Sequence, residues 1–246
     1  MRDRCRLVDS GTVTPPESAA LDEAILEAHS MGSVPDTLHF YVRSSPTVSV
    51  GYFQMAGESL DLDACRRLGV SVVRRGSGGS SIYTDSGQLI YGLVMGAKEL
   101  PPTPEASFAL VCGTIAKALS SFGVDARHRP VNDIEVGGRK VSGSAQLRRR
   151  GSVLQHGTVI VDTDLDAMDA VLRRGPGPCP SERVTTLAAL MGHAPGMDEV
   201  KARIQGALSD VLGIMMEKGS LTDGEMARVE RLVKERYSRD DWNMRR

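Results

Sequence analysis

Apolar residues along the chain recur with helical spacing in some segments and with strand spacing in others, which predicts a mixed α and β protein. The segment Thr14-Pro15-Pro16-Glu17 has the form of a helix start, and apolar residues follow it at intervals of three and four. β-branched runs predict strands at 38–43, 47–50 and 70–75, with one or two more inside 82–94. The fold class is therefore α+β or mixed α/β.

The second half of the chain continues this pattern around one strong turn signal. Gly137-Gly138 separates two short β-branched segments, which is typical of a hairpin whose two turn residues both have positive φ. Proline and glycine in 174–182 predict a loop, and 183–246 is expected to form the C-terminal helical part of a single domain spanning 1–246. Further elements are expected as helices at 61–68, 106–122, 164–172, 197–212 and 222–236, and as a strand at 153–161.

Composition narrows the range of functions. The 246 residues carry a net charge of −1, with 41% hydrophobic and 4% aromatic residues. A near-neutral chain with few aromatics is not typical of a nucleic-acid binder, and no apolar stretch is long enough to span a bilayer. The four cysteines form no CxxC pair, which argues against a zinc site and a disulfide framework. We therefore expect a cytoplasmic protein without nucleic-acid or membrane partners.

Two segments have the residue types of an anion-handling cleft. Arg74-Arg75-Gly76-Ser77-Gly78-Gly79-Ser80 combines two guanidiniums with a glycine turn whose N–H groups can bind an anion. In 132–146, Lys140 follows the predicted hairpin and can hold a phosphate or a developing oxyanion. Asn132 and Asp133 can bond a polar ligand or position Mg²⁺. A solvated loop and an ordinary exposed hairpin would show the same residues.

A third segment, Leu154-Gln155-His156-Gly157-Thr158, places a histidine in a predicted strand before a glycine. Such a histidine can act as an acid or base, although a structural histidine fits the pattern as well.

Taken in order, these segments resemble the lipoate-protein ligase A family within the biotin/lipoate ligase and octanoyltransferase superfamily. Shared features are the Arg-Arg turn, Asn132-Asp133, Gly138-Arg139-Lys140, Gly143-Ser144-Ala145 and His156-Gly157. The segments 49–54, 182–185 and 237–243 also match, and the last resembles the tail of short archaeal-type ligases without a fused C-terminal domain.

The resemblance implies a central mixed sheet flanked by helices, with a cleft between the glycine turn and Lys140. It implies an ATP-dependent ligase that forms lipoyl-AMP and transfers the lipoyl group to a lysine of an acceptor protein, with ATP, Mg²⁺ and lipoate as ligands. Lys140 would contact the acyl carbonyl and the phosphate. The implied binding residues are Arg75, Ser77, Gly78, Gly79, Ser80, Asn132, Asp133 (also the possible Mg²⁺ ligand), Gly143, Ser144, Ala145, His156 and Gly157.

Departures from the family pattern leave alternatives open. Ser80 replaces the third glycine of the turn, Thr84 replaces a histidine, and Gly87-Gln88-Leu89 is similar to octanoyltransferases. In an octanoyl or lipoyl transferase, Cys179 would carry the acyl group. However, another transferase branch has its cysteine near the Asn-Asp segment, where this chain has none. A non-catalytic module that binds lipoyl proteins is the third interpretation.

The expected partner is a lipoyl-domain or glycine-cleavage-H-like acceptor protein. Because the resemblance is to the short form of the ligases, a separate small accessory protein is also expected.

Overall fold

The computed structural model describes residues 4–173 and 177–245, and its main feature is an eight-stranded mixed sheet. The strands are β1 (Arg4–Val13), β2 (Thr37–Arg43), β3 (Thr47–Val50), β4 (Ser71–Arg74), β5 (Ile82–Thr84), β6 (Gln88–Gly96), β7 (Arg127–Arg129), β8 (Asp133–Val136), β9 (Arg139–Arg149), β10 (Ser152–Ile160) and β11 (Met215–Lys218). The large sheet has the order β11-β1-β2-β6-β10-β9-β8-β7, and a small sheet has the order β4-β3-β5.

Helices cover both faces of the large sheet, so the predicted fold class is confirmed. They are α1 (Pro15–Ser30), α2 (Ala56–Ser59), α3 (Leu62–Arg67), α4 (Pro104–Ser120), α5 (Leu165–Val171), α6 (Leu187–Met191), α7 (Met197–Leu212), α8 (Asp223–Leu232) and α9 (Asp240–Asn243). α4 and α7 pack in one hydrophobic cluster with Phe40 and Tyr91, whereas α1 and α8 pack in another with Tyr41 and Ile90. None of the described helices is long and apolar enough to cross a bilayer.

The register of four antiparallel strands sets the floor of the site. Tyr41 on β2 pairs with Ile90 on β6, which pairs with Thr158 on β10, which pairs with Gly143 on β9. Directly opposed residues in antiparallel strands point to the same face. This row therefore lies on the face that α1 covers.

Two local predictions are confirmed, because residues close together in the sequence determine the structure there. Thr14 forms the capping box with Glu17 at the start of α1. Gly137 and Gly138 have φ values of 58° and 77°, as the hairpin prediction requires.

The C-terminal part differs from the helical segment that was expected at 183–246. It contains the strand β11, which pairs in parallel with β1. Neither strand has a run of β-branched residues, and each exists through pairing with a segment distant in sequence. The helix expected at 222–236 ends at Leu232 and continues as a π-helical turn, Val233–Tyr237.

The loop expected at 174–182 is described only in part, since 174–176 lie outside the described residues. Its described end contains a 3₁₀ turn, Ser181–Arg183. The single-domain organisation stays a prediction, although α8 packs on α1 and β11 pairs with β1.

The C-terminal tail docks against the strand that leads into the glycine turn. The indole N–H of Trp242 donates to the carbonyl of Arg74 (2.9 Å), and the Arg74 N–H donates to Oδ1 of Asn243 (3.0 Å). The buried Arg74 guanidinium donates to the carbonyls of Gly51, Gln54 and Trp242. Arg74 is thus a structural clamp between the tail and the start of the turn.

Candidate functional site

Two cavities meet at Lys140. The first cavity has a volume of about 360 Å³, and its apolar wall includes Ala19, Ile82, Ile90 and Phe108. The second cavity, of about 430 Å³, shares Lys140 and Gly143 with the first and extends to Pro180 and Val184.

Most of the predicted site residues line the first cavity. They are Arg75, Gly78, Gly79, Ser80, Asn132, Lys140, Gly143, Ser144, Ala145, His156 and Gly157. Asp133 lines the second cavity. Ser77 and Cys179 are in neither lining, but Ser77 contacts His156.

The Arg75 side chain lies inside the glycine turn and holds its backbone through hydrogen bonds. Its guanidinium donates to the carbonyls of Ser49 (2.8 Å), Gly78 (2.7 Å) and Ser80 (2.9 Å), and to the hydroxyl of Ser77 (3.1 Å). Burial lowers the pKa of Arg75 to about 10. These bonds hold the turn, instead of leaving the guanidinium free for the nucleotide contact that the resemblance implied.

Close packing of two backbones fixes the turn against β3. A Cβ on Gly51 would lie 1.9 Å from the carbonyl oxygen of Gly79, and Gly79 itself has a φ of +94°. Only glycine satisfies both positions, because a side chain at Gly51 would clash with backbone and Gly79 has left-handed geometry.

The Lys140 side chain lies across its own strand, β9, above Gly143, which has no side chain. Its Nζ is 2.7 Å from Oδ1 of Asp133, and the Lys140 side chain is 29% exposed. A Cβ on Gly143 would come within 2.3 Å of both Cε and Nζ of Lys140. Gly143 therefore allows the ammonium to rest where the two cavities meet.

The neighbouring small residues support that strand. The side-chain amide of Asn132 donates to the carbonyl of Ser144, and the Ser144 N–H donates to the carbonyl of Asn132 (3.0 Å). The Ser144 hydroxyl bonds the buried Tyr91 hydroxyl (2.7 Å). Asn132 thus positions β9, which carries Lys140 and Gly143.

Asp133 is the ion-pair partner of Lys140 and belongs to no cluster of metal-binding side chains among the described residues. Within 4–173 and 177–245, no group of three or more histidine, cysteine, aspartate or glutamate side chains could hold a metal ion. Asp133 instead forms the ion pair with Lys140. The Mg²⁺ expected at Asp133 stays a prediction, with this one carboxylate as its possible protein ligand.

His156 joins helix α1 to the glycine turn. Its Nδ1 is 2.6 Å from Oδ2 of Asp22, and its Nε2 is 2.6 Å from the hydroxyl of Ser77. Because a carboxylate only accepts, a neutral His156 donates from Nδ1 and accepts at Nε2 from Ser77. Gly157 has no room for a side chain, since a Cβ would lie 2.7 Å from the carbonyl oxygen of Gly143.

Sequence reasoning missed Asp22 and Arg43. Both line the first cavity and are almost fully buried, at 6% and 5% exposed. In the sequence, Asp22 could have been noticed as an acidic residue between apolar positions of the predicted first helix. Nothing comparable marked Arg43, which ends a strand beside a serine- and proline-containing turn.

The four cysteines differ in access to solvent. Cys5, Cys65 and Cys112 are buried, whereas Cys179 is half-buried. Burial raises the pKa of the Cys65 and Cys112 thiols, which disfavours the reactive thiolate. Cys179 precedes Pro180, a residue of the second cavity's wall, and Val184 in the same segment forms a β-bridge with Lys140.

Residues 14–209, which include every predicted site residue, match the model of the lipoyl protein ligase A/B catalytic domain. The chain belongs to this family. The octanoyltransferase LipM of Symbiobacterium thermophilum is 36% identical, and the alignment covers 100% of both chains. The chain is thus an enzyme of the family that transfers lipoyl or octanoyl groups.

Solved structures agree with the fold. A lipoate-protein ligase A bound with ATP is 30% identical with a TM-score of 0.87, and the match covers 99% of each chain. A bipartite lipoate protein ligase from Thermoplasma acidophilum, studied with its E2 lipoyl domain, is 29% identical with a TM-score of 0.84. That match covers 99% of this chain and 96% of the ligase.

The relative from Symbiobacterium thermophilum corrects the expected reaction. The prediction of a ligase that activates lipoate with ATP is wrong, because a relative that aligns from end to end is an octanoyltransferase. Ser80, Thr84 and Gln88, which depart from the ligase pattern, are consistent with this correction. The alternative of an acyltransferase fits the comparison better.

Proposed function

We propose that this protein transfers an octanoyl group from a carrier thioester to the lysine amine of a lipoyl-domain or glycine-cleavage-H-like acceptor. The end-to-end similarity to an octanoyltransferase carries the proposal. The first cavity supports it, because its partly apolar wall suits an acyl chain and leads to a positively charged group at Lys140.

Lys140 has the chemistry that both halves of such a transfer need. Attack on an acyl carbonyl creates an oxyanion, and a positioned cation stabilises it. The Lys140 ammonium is held by Asp133 at 2.7 Å and lies over Gly143, where the two cavities meet. We assign to Lys140 the stabilisation of the oxyanion in the first cavity.

Cys179 is the proposed acyl carrier, since it is the thiol with solvent access and directly precedes Pro180, which lines the second cavity. Its thiolate attacks the carrier thioester, an enzyme thioester forms, and the carrier leaves as a thiolate. The acceptor lysine, as a neutral amine, then attacks the enzyme thioester. An amide forms, the amine loses its proton, and Cys179 is released as the thiol.

The acceptor is assigned by its chemistry. The ligase from Thermoplasma acidophilum, similar over 99% of this chain, was studied with its E2 lipoyl domain, which supports an acceptor of that type. A thioester donor is already activated. The separate accessory protein, expected for a ligase, is therefore not part of this proposal.

The test is transfer without ATP. Octanoyl carrier protein, a lipoyl domain and the purified chain are incubated, and the mass of the lipoyl domain is measured. We expect octanoylation with the unmodified chain and at least a 100-fold slower reaction with Lys140→Ala. A lipoyl domain that stays unmodified under these conditions would refute the proposed function.

A further inference from the structure

Arg43 is a buried cation with unused donors on the wall of the first cavity. Nε donates to the hydroxyl of Ser18 (3.1 Å), and Nη1 donates to the hydroxyl of Thr84 (2.6 Å). Within the described part of the chain, Nη2 donates no hydrogen bond, and no carboxylate forms an ion pair with the guanidinium. A guanidinium has five N–H donors, so most of this capacity is unused.

A buried charge that is paired only with hydroxyl groups is costly for a protein to retain. Asp22 acts on Arg43 through its charge, but its Oδ2 is already bonded to His156. Burial lowers the pKa of Arg43, yet an arginine keeps its charge at neutral pH. Arg75 and Arg148 line the same cavity. The donors of Arg75 are taken up by the glycine turn, and those of Arg148 are directed to Gln146, Pro102, Thr103 and Ser107. Of the three described arginines that line this cavity, Arg43 therefore has the most unused N–H donors for a ligand.

The spacing of the strands relates Arg43 to the reacting end of the cavity. Gly143 lies beneath the Lys140 ammonium, and the row from Gly143 to Tyr41 crosses three strand intervals. At about 4.8 Å per interval, this row is about 14 Å long. With bonds of about 1.5 Å, an extended eight-carbon chain spans roughly 9 Å. Arg43 lies two residues beyond Tyr41, so its side chain can reach the end of such a chain.

We propose that Arg43 binds a carboxylate at the far end of the acyl chain, so that the preferred substrate is a dicarboxylic half-thioester of about octanoyl length. The inference rests on the proposed acyl transfer and refines its substrate: octanoyl remains a donor, and an acyl group of the same length that ends in a carboxylate is the preferred one. A terminal carboxylate would supply the missing negative charge and can accept two N–H bonds from one guanidinium. A plain octanoyl chain would place a methyl group there and leave the donors unused.

Binding is measured first, with two amides whose uncharged carboxamide group imitates the carbonyl end of the thioester. Calorimetry compares the monoamide of octanedioic acid with octanamide. We expect the unmodified protein to bind the monoamide at least tenfold more tightly, because octanamide leaves buried donors without partners. Arg43→Met should remove this difference and Arg43→Lys should reduce it. Arg66→Met, at an exposed arginine of α3, should preserve it.

Transfer is measured second, from octanedioyl and octanoyl carrier thioesters to the lipoyl domain. We expect the octanedioyl donor to have the higher kcat/KM. The role of Arg43 would be overturned if the unmodified protein bound the two amides equally or bound octanamide more tightly. This result needs no variant, so it decides the question even if Arg43→Met does not fold. If the monoamide is preferred but neither thioester is a donor, the proposed function fails while the Arg43 subsite stands.

Discussion

Replacing Gly143 with alanine tests whether the position of Lys140 determines the reaction rate. The added Cβ would lie 2.3 Å from Cε and Nζ of Lys140 and 3.2 Å from Oδ1 of Asp133. Those lysine atoms are the far end of a flexible side chain, so the side chain moves and the backbone stays. An ordinary contact requires about 3.4 Å or more, and the ammonium must therefore shift by about 1 Å.

This displacement is expected to change both the reaction rate and the free energy of unfolding. A misplacement of about 1 Å at a reacting group can cost about 100-fold in rate. The ion pair between Lys140 and Asp133 is partly exposed, at 29% and 23% for the two side chains, so its loss costs about 0–1 kcal/mol of folding free energy. We thus expect Gly143→Ala to lose about 100-fold in kcat/KM while unfolding at nearly the same denaturant concentration.

The assay combines acyl transfer to the lipoyl domain with urea unfolding, and two other glycines provide controls. Gly113 in α4 has nothing within 4 Å of a Cβ, so Gly113→Ala should keep its activity and gain about 0.5–1 kcal/mol of stability. At Gly87, a Cβ would lie 1.5 Å from the carbonyl oxygen of Asp162, so Gly87→Ala should fold poorly. Normal activity of Gly143→Ala, or instability like that of Gly87→Ala, would refute the reasoning.

Three further changes test separate parts of the site and the fold. Lys140→Ala should fold normally in circular dichroism and lose transfer from every thioester donor; full activity would exclude Lys140 from oxyanion stabilisation. Cys179→Ala should abolish the octanoyl-enzyme seen by intact mass spectrometry; an unchanged acyl-enzyme would place the thioester on another residue. Burial lowers the pKa of His39 to about 4 from 6.5. The unfolded chain therefore binds more protons between these values, and stability falls by about 3 kcal/mol as the pH drops from about 6.5 to about 4. Urea unfolding across this range should show the loss, and His39→Gln should lack it; equal pH dependence of the two proteins would contradict the assignment.

The sequence predicted the parts of the fold that depend on near neighbours. The hairpin at Gly137-Gly138 needs two residues with positive φ, and glycine provides both. By contrast, β1 and β11 pair Arg4 with Met215, and no local pattern could have indicated that contact. Strand formation there depends on the assembled sheet.

The same division applies to the site. Lys140, Gly143 and His156 could be predicted because their motifs are short and continuous. Asp22 and Arg43 belong to α1 and β2, and they reach the first cavity only through packing. An acid between apolar helix positions was the one sequence signal for Asp22, and Arg43 had none. Arg43, which we propose selects the acyl chain, was therefore missed, whereas Lys140, which we propose acts at the reacting carbonyl, was named from the sequence.

The correction from ligase to transferase has a physical reason. An acyl-adenylate and an acyl thioester both offer a carbonyl to a lysine amine, and both pass through an oxyanion that a cation can stabilise. The roles proposed for Lys140, Gly143 and the glycine turn belong to that shared step, so their motifs could not distinguish the two leaving groups. Discrimination must come from residues that meet the leaving group or the acyl chain. In this chain we assign those roles to Cys179 beside the second cavity and to Arg43 in the first, neither of which belongs to the motifs that carried the resemblance.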